Sequence, residues 1–330
     1  MNAPIRVAGH ELLTTASVGI AVSEDRAQSM GDLLRKADIA LYRAKAEGRA
    51  RAVMFRPEHE DLAVEDVDLN SALHRAVERG QLALRYQPEV DLVTGNIMGM
   101  EALLRWNHPS RGLLSPADFI EMAESTGDIV PIGGWVLEQA CREAAAMSAR
   151  SGASPVVGVN LSVTEFQQSD VVARTAAALD SSGLPPGQLK LELTESALME
   201  DIPATVDTLM QLKKLGVALA IDDFGTGYSS LSYLQHLPVD TLKVDQLFVG
   251  AIGNDPRATA IVDAIVRIGT ALDLQVTAEG VETLQQISYL RKVGCTRGQG
   301  HYFSEPIPPE QFAVLLDRSI ASAGRSYRVA

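Results

Sequence analysis

Much of what would mark a secreted, membrane-spanning or nucleic-acid-binding chain is missing from this sequence of 330 residues. It holds two cysteines, Cys141 and Cys295, and their spacing fits neither a disulfide framework nor a metal or redox motif. Free thiols in a reducing cytosol are the expectation. No basic excess exists: 29 Lys and Arg face 42 Asp and Glu, a net charge of −13. That argues against a groove for long nucleic acid. It leaves room for a small anionic ligand if bound cations offset some of the acids. No apolar run reaches the 18 or so residues of a membrane span, and the opening "MNAPIRVAGHELL" has no signal-peptide core. A cytoplasmic location with no membrane segment in this chain is expected, although a longer parent protein could be tethered upstream. The six histidines are scattered without metal-ligand spacing, which argues against a zinc hydrolase or a His-Asp phosphohydrolase.

What is present is rhythm. Residues 12–22 read as a β-branched strand, and "SMGDLLRKADIALYRAKAEGRA" as an amphipathic helix with Ser29 as N-cap. Residues 57–67 read as an acidic connector and 68–80 as a short helix ending at Gly80. From residue 82 short apolar runs alternate with amphipathic stretches: "LALRYQP", "IMGMEALLRW", "PVVGVNLS", "LKLELTE", "VALAIDDF", "TLKVD", "LQVTAEG" and "GCTRGQGHYF". Such alternation predicts a parallel sheet, and about eight strands in some 250 residues favour closure into a TIM-like (β/α)8 barrel. Only "VDLVTGN" separates the first two runs, so one antiparallel strand near the start is expected.

Polar residues end these runs. Glu101, Asn160, Glu192, Glu195, Asp222, Asp223, Lys243, Asp245 and Glu279 lie at or near strand ends, and Gln299 lies in the last Gly-rich segment. In a barrel those ends converge on one rim, where active sites of this fold sit. A single acid after a strand is more often a helix cap or a turn residue. A whole series on successive strands is harder to explain that way, since unpaired carboxylates on one rim repel by several kcal/mol. Divalent cations would relieve the repulsion. Oxygen ligands without His or Cys suit Mg²⁺ or Mn²⁺. Adjacent strand residues point to opposite faces, so Asp222 and Asp223 can share a site only where the strand breaks into the loop that follows. There Asp222 could bridge two ions and Asp223 bind one. Lys243 has a rival reading as a Schiff-base lysine, which the neighbouring acids oppose by keeping it charged.

Two resemblances sharpen this picture. "TASVGIAV" and "ADIALYRAKAEGR" resemble the C-terminal part of a GGDEF (diguanylate cyclase) domain, over residues 1–56, without the signature that names that family. "YQP", "EALLRW", "VNLS", "ELTES", "DDFGTGYSSL", "LKVD", "AEGVET" and "GQGHYFSEP" resemble, in family order, the EAL cyclic di-GMP phosphodiesterases. The second resemblance implies metal-dependent hydrolysis of cyclic di-GMP to linear pGpG with two Mg²⁺ or Mn²⁺ ions. It implies one ion on Glu101, Asn160, Glu192 and Asp222, and another on Asp222, Asp223 and Glu279. Lys243, Glu101 and Glu279 would be catalytic, with Lys243 holding or polarising the attacking water and Asp245 nearby in support. Gln87, Arg105, Asp245 and Gln299 would serve the substrate. Glu195 would anchor the loop of Phe224, Gly225, Thr226 and Gly227, which the family couples to a homodimer. Thr296 and His301 depart from the family's usual residues, away from the metal ligands.

The organisation expected is therefore a GGDEF remnant at 1–56, a linker at 57–67, a phosphodiesterase domain at 68–320 and a tail at 321–330. The small N-terminal piece would add an α/β fragment beside the barrel. The competing readings are a cyclic di-GMP receptor without turnover and a regulatory scaffold.

Overall fold

In the computed structural model the chain divides into two compact units, Met1–Arg75 and Ala76–Ala330. The structure describes residues 5–7, 10–12, 16–23, 29–46, 50–57, 69–168, 170–198, 202–226 and 231–322. Most of the expected linker, most of the tail, and Gly227 lie outside the described residues.

The first unit is an α/β fragment. Strands β1 (Ile5–Val7) and β2 (His10–Leu12) pair antiparallel, and β3 (Val18–Ile20) pairs parallel with β4 (Ala52–Met54). The helix Met30–Ala46 begins where expected: the Ser29 hydroxyl accepts from the Asp32 amide at 3.1 Å. The helix expected over 68–80 is helical only at 69–73, and turns carry the chain on to Gly80.

The second unit is the barrel. Its strands are β5 (Leu82–Asp91), β6 (Ile97–His108), β7 (Gly112–Leu114), β8 (Val156–Leu161), β9 (Leu189–Thr194), β10 (Ala218–Phe224), β11 (Thr241–Val244), β12 (Gln275–Ala278) and β13 (Arg297–Gly298). The ring order is β5-β13-β12-β11-β10-β9-β8-β6, closed by β6 pairing back to β5, with β7 added outside β6. Strand β5 is antiparallel to both of its ring neighbours, and the other pairings in the ring are parallel. The cause is local. Asp91 accepts from the amides of Val93 and Thr94 at 2.9 and 2.6 Å, and Gly95 (φ 77°) completes a turn too short for a crossover helix.

The ring's outer face is apolar and covered by helices. Leu189, Leu191 and Leu193 alternate along β9 and are fully buried. The helix Ile129–Ser151 buries Ile132, Val136, Ala140, Ala144 and Met147 along one stripe. Trp106, which ends the "EALLRW" run, is a core residue: its ring meets Phe119 edge-on with centroids 5.5 Å apart, and its Nε1 donates to Gln81. Among the described residues no helix is long and apolar enough to cross a membrane.

Candidate active site

The barrel interior departs from the apolar layers usual in this architecture. Because strand side chains alternate, the leucines of β9 face outward and Lys190 and Glu192 face inward. Register then places these residues in the ring. Gln87 lies opposite Glu101, Asn160 opposite Glu192, and Lys243 opposite Thr277. The result is two stacked polar layers. A rim layer holds Glu101, Glu192, Asp222, Lys243 and Glu279, and a floor layer holds Glu89, Lys190, Thr277 and Arg297.

Lys243 sits at the centre of the rim. Its Nζ is 2.5 Å from Glu192 Oε2, 2.6 Å from Glu279 Oε1, 3.1 Å from Asp222 Oδ1 and 3.6 Å from Glu101 Oε2. Burial alone would lower its pKa, but these four carboxylates override burial and raise it well above the ordinary lysine value. A lysine held so firmly as an ammonium is unsuited to forming a Schiff base, which needs the neutral amine. Glu279 is pushed toward its neutral form. Burial raises its pKa well above the carboxylate range, Lys243 opposes this, and Asp222 and Glu101 add to it.

The adjacent aspartates reach one site by a route the sequence does not show. As expected, they lie at the end of the strand: β10 runs to Phe224 and the loop follows. Its register against β11 shifts between Ile221 and Phe224, and Asp223 adopts φ 52°, in the left-handed region. Such a bulge re-aims a side chain that would otherwise face outward. One oxygen each of Asp222, Asp223 and Glu279 then lies within 4.8 Å of the others. Crowding has a cost at Asp223, where burial and then Asp222 push the carboxyl up to about 6.

Amides orient the remaining acid. Asn160 donates to Glu101 Oε1 at 2.6 Å, and Gln299 donates to Glu101 Oε2 at 2.5 Å and to Gln87 Oε1 at 2.9 Å. Gln87 in turn donates to the Ser304 carbonyl at 3.0 Å. A cavity of about 180 Å³ opens over this set, with Gln87, Glu101, Asp222, Glu279 and Gln299 in its wall. Gln246, Glu282 and His301 also line it; the sequence reading had not placed the first two. They follow "LKVD" and "AEGV" directly, a signal that was available.

The other expected residues do not line the cavity, although Asp245 hydrogen-bonds Asp223. Arg105 lies beyond the cavity wall, four residues past Glu101 on the same strand face, and its Nη1 donates to the Leu104 carbonyl at 2.7 Å. Asp245 caps the helix Gln246–Gly250, accepting from the Leu247 amide at 2.6 Å. Glu195 is buried, and its Oε2 accepts from the Gly225 amide at 3.1 Å. Its Oε1 has no hydrogen-bond partner among the described residues. Phe224 is buried and Thr226 exposed.

The donor set is all oxygen, drawn from several strands and overcrowded with negative charge. It fits a hard divalent cation.

Known proteins agree with this geometry. Residues 70–306 match the EAL domain family, and residues 1–51 match the diguanylate cyclase GGDEF domain family. The bifunctional diguanylate cyclase/cyclic di-GMP phosphodiesterase MucR of Pseudomonas aeruginosa is 42% identical over 94% of this chain and 45% of its own length. The cyclic di-GMP phosphodiesterase PdeR of Escherichia coli is 38% identical over 98% of this chain and 49% of its own. The chain thus spans less than half the length of these two relatives. Among solved structures, the PaMucR phosphodiesterase in complex with c-di-GMP is 45% identical. It superimposes with a TM-score of 0.72 over 74% of this chain and 99% of that one.

Proposed function

The chain belongs to the EAL domain family, and on that premise we propose that its barrel hydrolyses cyclic di-GMP to linear pGpG. The observation that carries this reading is the convergence of four carboxylates from separate strands within 3.6 Å of Lys243 Nζ. Beside it, a cluster of Asp222, Asp223 and Glu279 has the spacing of cation ligands. Similarity to phosphodiesterases, one of them solved with c-di-GMP, supports the substrate.

Glu101, Asn160, Glu192 and Asp222 would hold one Mg²⁺ or Mn²⁺, and Asp222, Asp223 and Glu279 a second. When bound, such ions lower the pKa of a water and offset charge on a phosphodiester. The chain's own groups do the rest. Lys243, cationic and fixed, holds the attacking water by donating to its oxygen. Asn160 and Gln299 keep both oxygens of Glu101 in place. Gln87 and Gln299 border the substrate cavity, and Arg105 offers a guanidinium for a phosphate further out on β6. The water oxygen would bond to phosphorus and shed a proton as the P–O3′ bond breaks, and the leaving O3′ would take up a proton, so that water's OH and H end on the 5′-phosphate and the 3′-hydroxyl of pGpG. Asp245 supports the region by capping the helix after β11.

The same reading makes residues 68–320 the catalytic domain and residues 1–56 a GGDEF remnant. The Glu195–Gly225 hydrogen bond would tie the loop after β10 to the rim, the link expected to couple the site to a homodimer. The test is direct. The chain is incubated with cyclic di-GMP and Mg²⁺ or Mn²⁺, and products are separated by chromatography. Formation of pGpG that stops on chelation supports the enzyme. Tight binding of cyclic di-GMP without pGpG makes the protein a receptor.

A further inference from the structure

The floor of the barrel holds charged side chains that the chemistry above does not use. Glu89 and Lys190 are 3% and 5% exposed, and Thr277 is fully buried. Lys190 Nζ lies 2.6 Å from Glu89 Oε2 and 3.2 Å from Glu192 Oε1. At the far end Glu89 Oε1 accepts from Arg297 Nη1 at 2.9 Å and from Thr277 Oγ1 at 3.1 Å. With Glu192 Oε2 at 2.5 Å from Lys243, the side chains form an unbroken chain: Arg297, Glu89, Lys190, Glu192, Lys243.

Buried ion pairs of this kind seldom stabilise a fold more than apolar filling would. The place where the chain meets the rim suggests another role. Glu192 is shared: Lys190 takes Oε1 from below and Oε2 faces Lys243. Space for that arrangement comes from Gly158 on β8, opposite Lys190, where a Cβ would stand 2.2 Å from Glu192 Oε1.

We infer that Lys190 is a positioning residue for Glu192. Anchored through Glu89 to Arg297 and Thr277, it pins Oε1 downward and leaves Oε2 as the single oxygen that Glu192 offers to the rim. This rests on the proposed role of Glu192 as a cation ligand. The contacts Lys190 makes are the kind of outer partners that orient a ligand and tune its affinity. A purely electrostatic role has the opposite sign: removing an ammonium makes the cavity more negative and strengthens cation uptake. A purely structural role would need only that Glu89 not be left unpaired.

The experiment measures Mn²⁺ uptake by titration calorimetry on the whole chain without nucleotide, followed by kcat and KM for cyclic di-GMP. Lys190→Met is the direct variant. Glu89→Gln/Lys190→Met is the decisive one, because Gln at 89 still accepts from Arg297 and Thr277 and leaves no unpaired buried acid. The expected result is Mn²⁺ affinity 10–100-fold below wild type in the double variant, of the order found for such outer partners. A fall in kcat with little change in KM should accompany it. Mn²⁺ affinity in the folded double variant equal to or above wild type overturns the inference and leaves the metal reading intact. No Mn²⁺ uptake by the wild type sinks the metal reading, and this inference with it.

Discussion

The floor and the rim of this barrel are built from the same kinds of side chain and differ in balance. On the floor, two cations, Lys190 and Arg297, satisfy the one acid, Glu89. Burial pushes Glu89 up, but Lys190 and Arg297 together outweigh it and hold the carboxyl down at about 2. On the rim, acids outnumber the one lysine. Burial holds Glu279 far above its usual range, and Asp223 reaches about 6. A buried network whose acid is fully paired fixes geometry, whereas one with excess acid stores a demand for positive charge. The floor is complete as it stands, and the rim is suited to a visiting cation.

The largest effect should come from breaking the rim. Lys243→Ala and Glu101→Ala are each expected to lower turnover of cyclic di-GMP by about 10³-fold or more, within the range seen when a positioned catalytic group is removed. Steady-state assays with excess Mn²⁺ check this. Substantial activity in either variant would mean that the chemistry lies elsewhere. The floor supplies the contrast: Glu89→Gln should reduce stability far more visibly than it changes substrate KM.

That stability effect has a definite pH signature. The pKa of Glu89 is depressed on folding, from an ordinary 4.5 to about 2. A depressed carboxyl contributes stability that is fully present above the unfolded pKa and is lost as pH falls through the folded one. At pH 7 the contribution is about 3 kcal/mol, from about 1.4 kcal/mol per pKa unit. Denaturant unfolding in chelator should therefore find Glu89→Gln less stable than wild type at pH 7, by that order. The gap should close between pH 4.5 and 2. A constant gap across this window would show that packing, not charge, separates the two proteins.

Much of this architecture is legible in the sequence, for physical reasons. The strands declare themselves by alternation, and the short "VDLVTGN" link can only be a hairpin. Most rim acids stand near the ends of apolar runs, where chain order alone marks them; Glu101, expected at a strand end, instead lies inside β6, which runs on to His108. The floor is harder to read. Lys190 lies two residues before Glu192 in "LKLELTE", so alternation puts both on one face, yet its partner Glu89 lies 101 residues away. Nothing local announces that pairing. The left-handed turn at Asp223 is also hidden, since a non-glycine residue seldom adopts it. The reading of "AIDDF" as a strand that gives way to a loop holds, and only the bulge at its end went unread.

Cation uptake sharpens the comparison further. Ligand acids must lose their protons to bind a metal. With Asp223 at about 6 and Glu279 raised well above its usual value, Mn²⁺ affinity should fall as pH drops below about 6. The slope should be about tenfold per pH unit for each proton displaced. Calorimetry in buffers of different ionisation enthalpy would count the protons released. Uptake that is flat between pH 7 and 5, with no proton release, would show that the rim carboxyls are already ionised.

The smallest effect runs in the unusual direction. The Asp223 carboxyl is raised on folding from 3.8 to about 6. For a raised acid, stability is lost as pH climbs from the unfolded to the folded value, and above 6 the whole cost is present. Asp223→Asn removes that cost and keeps a residue that tolerates the left-handed backbone found there. At pH 7 without metal the variant should be the more stable protein. The gain should stay below about 1 kcal/mol, because the group is half exposed and solvent screens it. At pH 3.5 the advantage should vanish. Adding Mn²⁺ should reverse the order at pH 7, since only the wild type keeps its full ligand set and a ligand stabilises the state that binds it. If Asn at 223 destabilises the metal-free protein at pH 7, the rim is not under the charge stress that sets it apart from the floor.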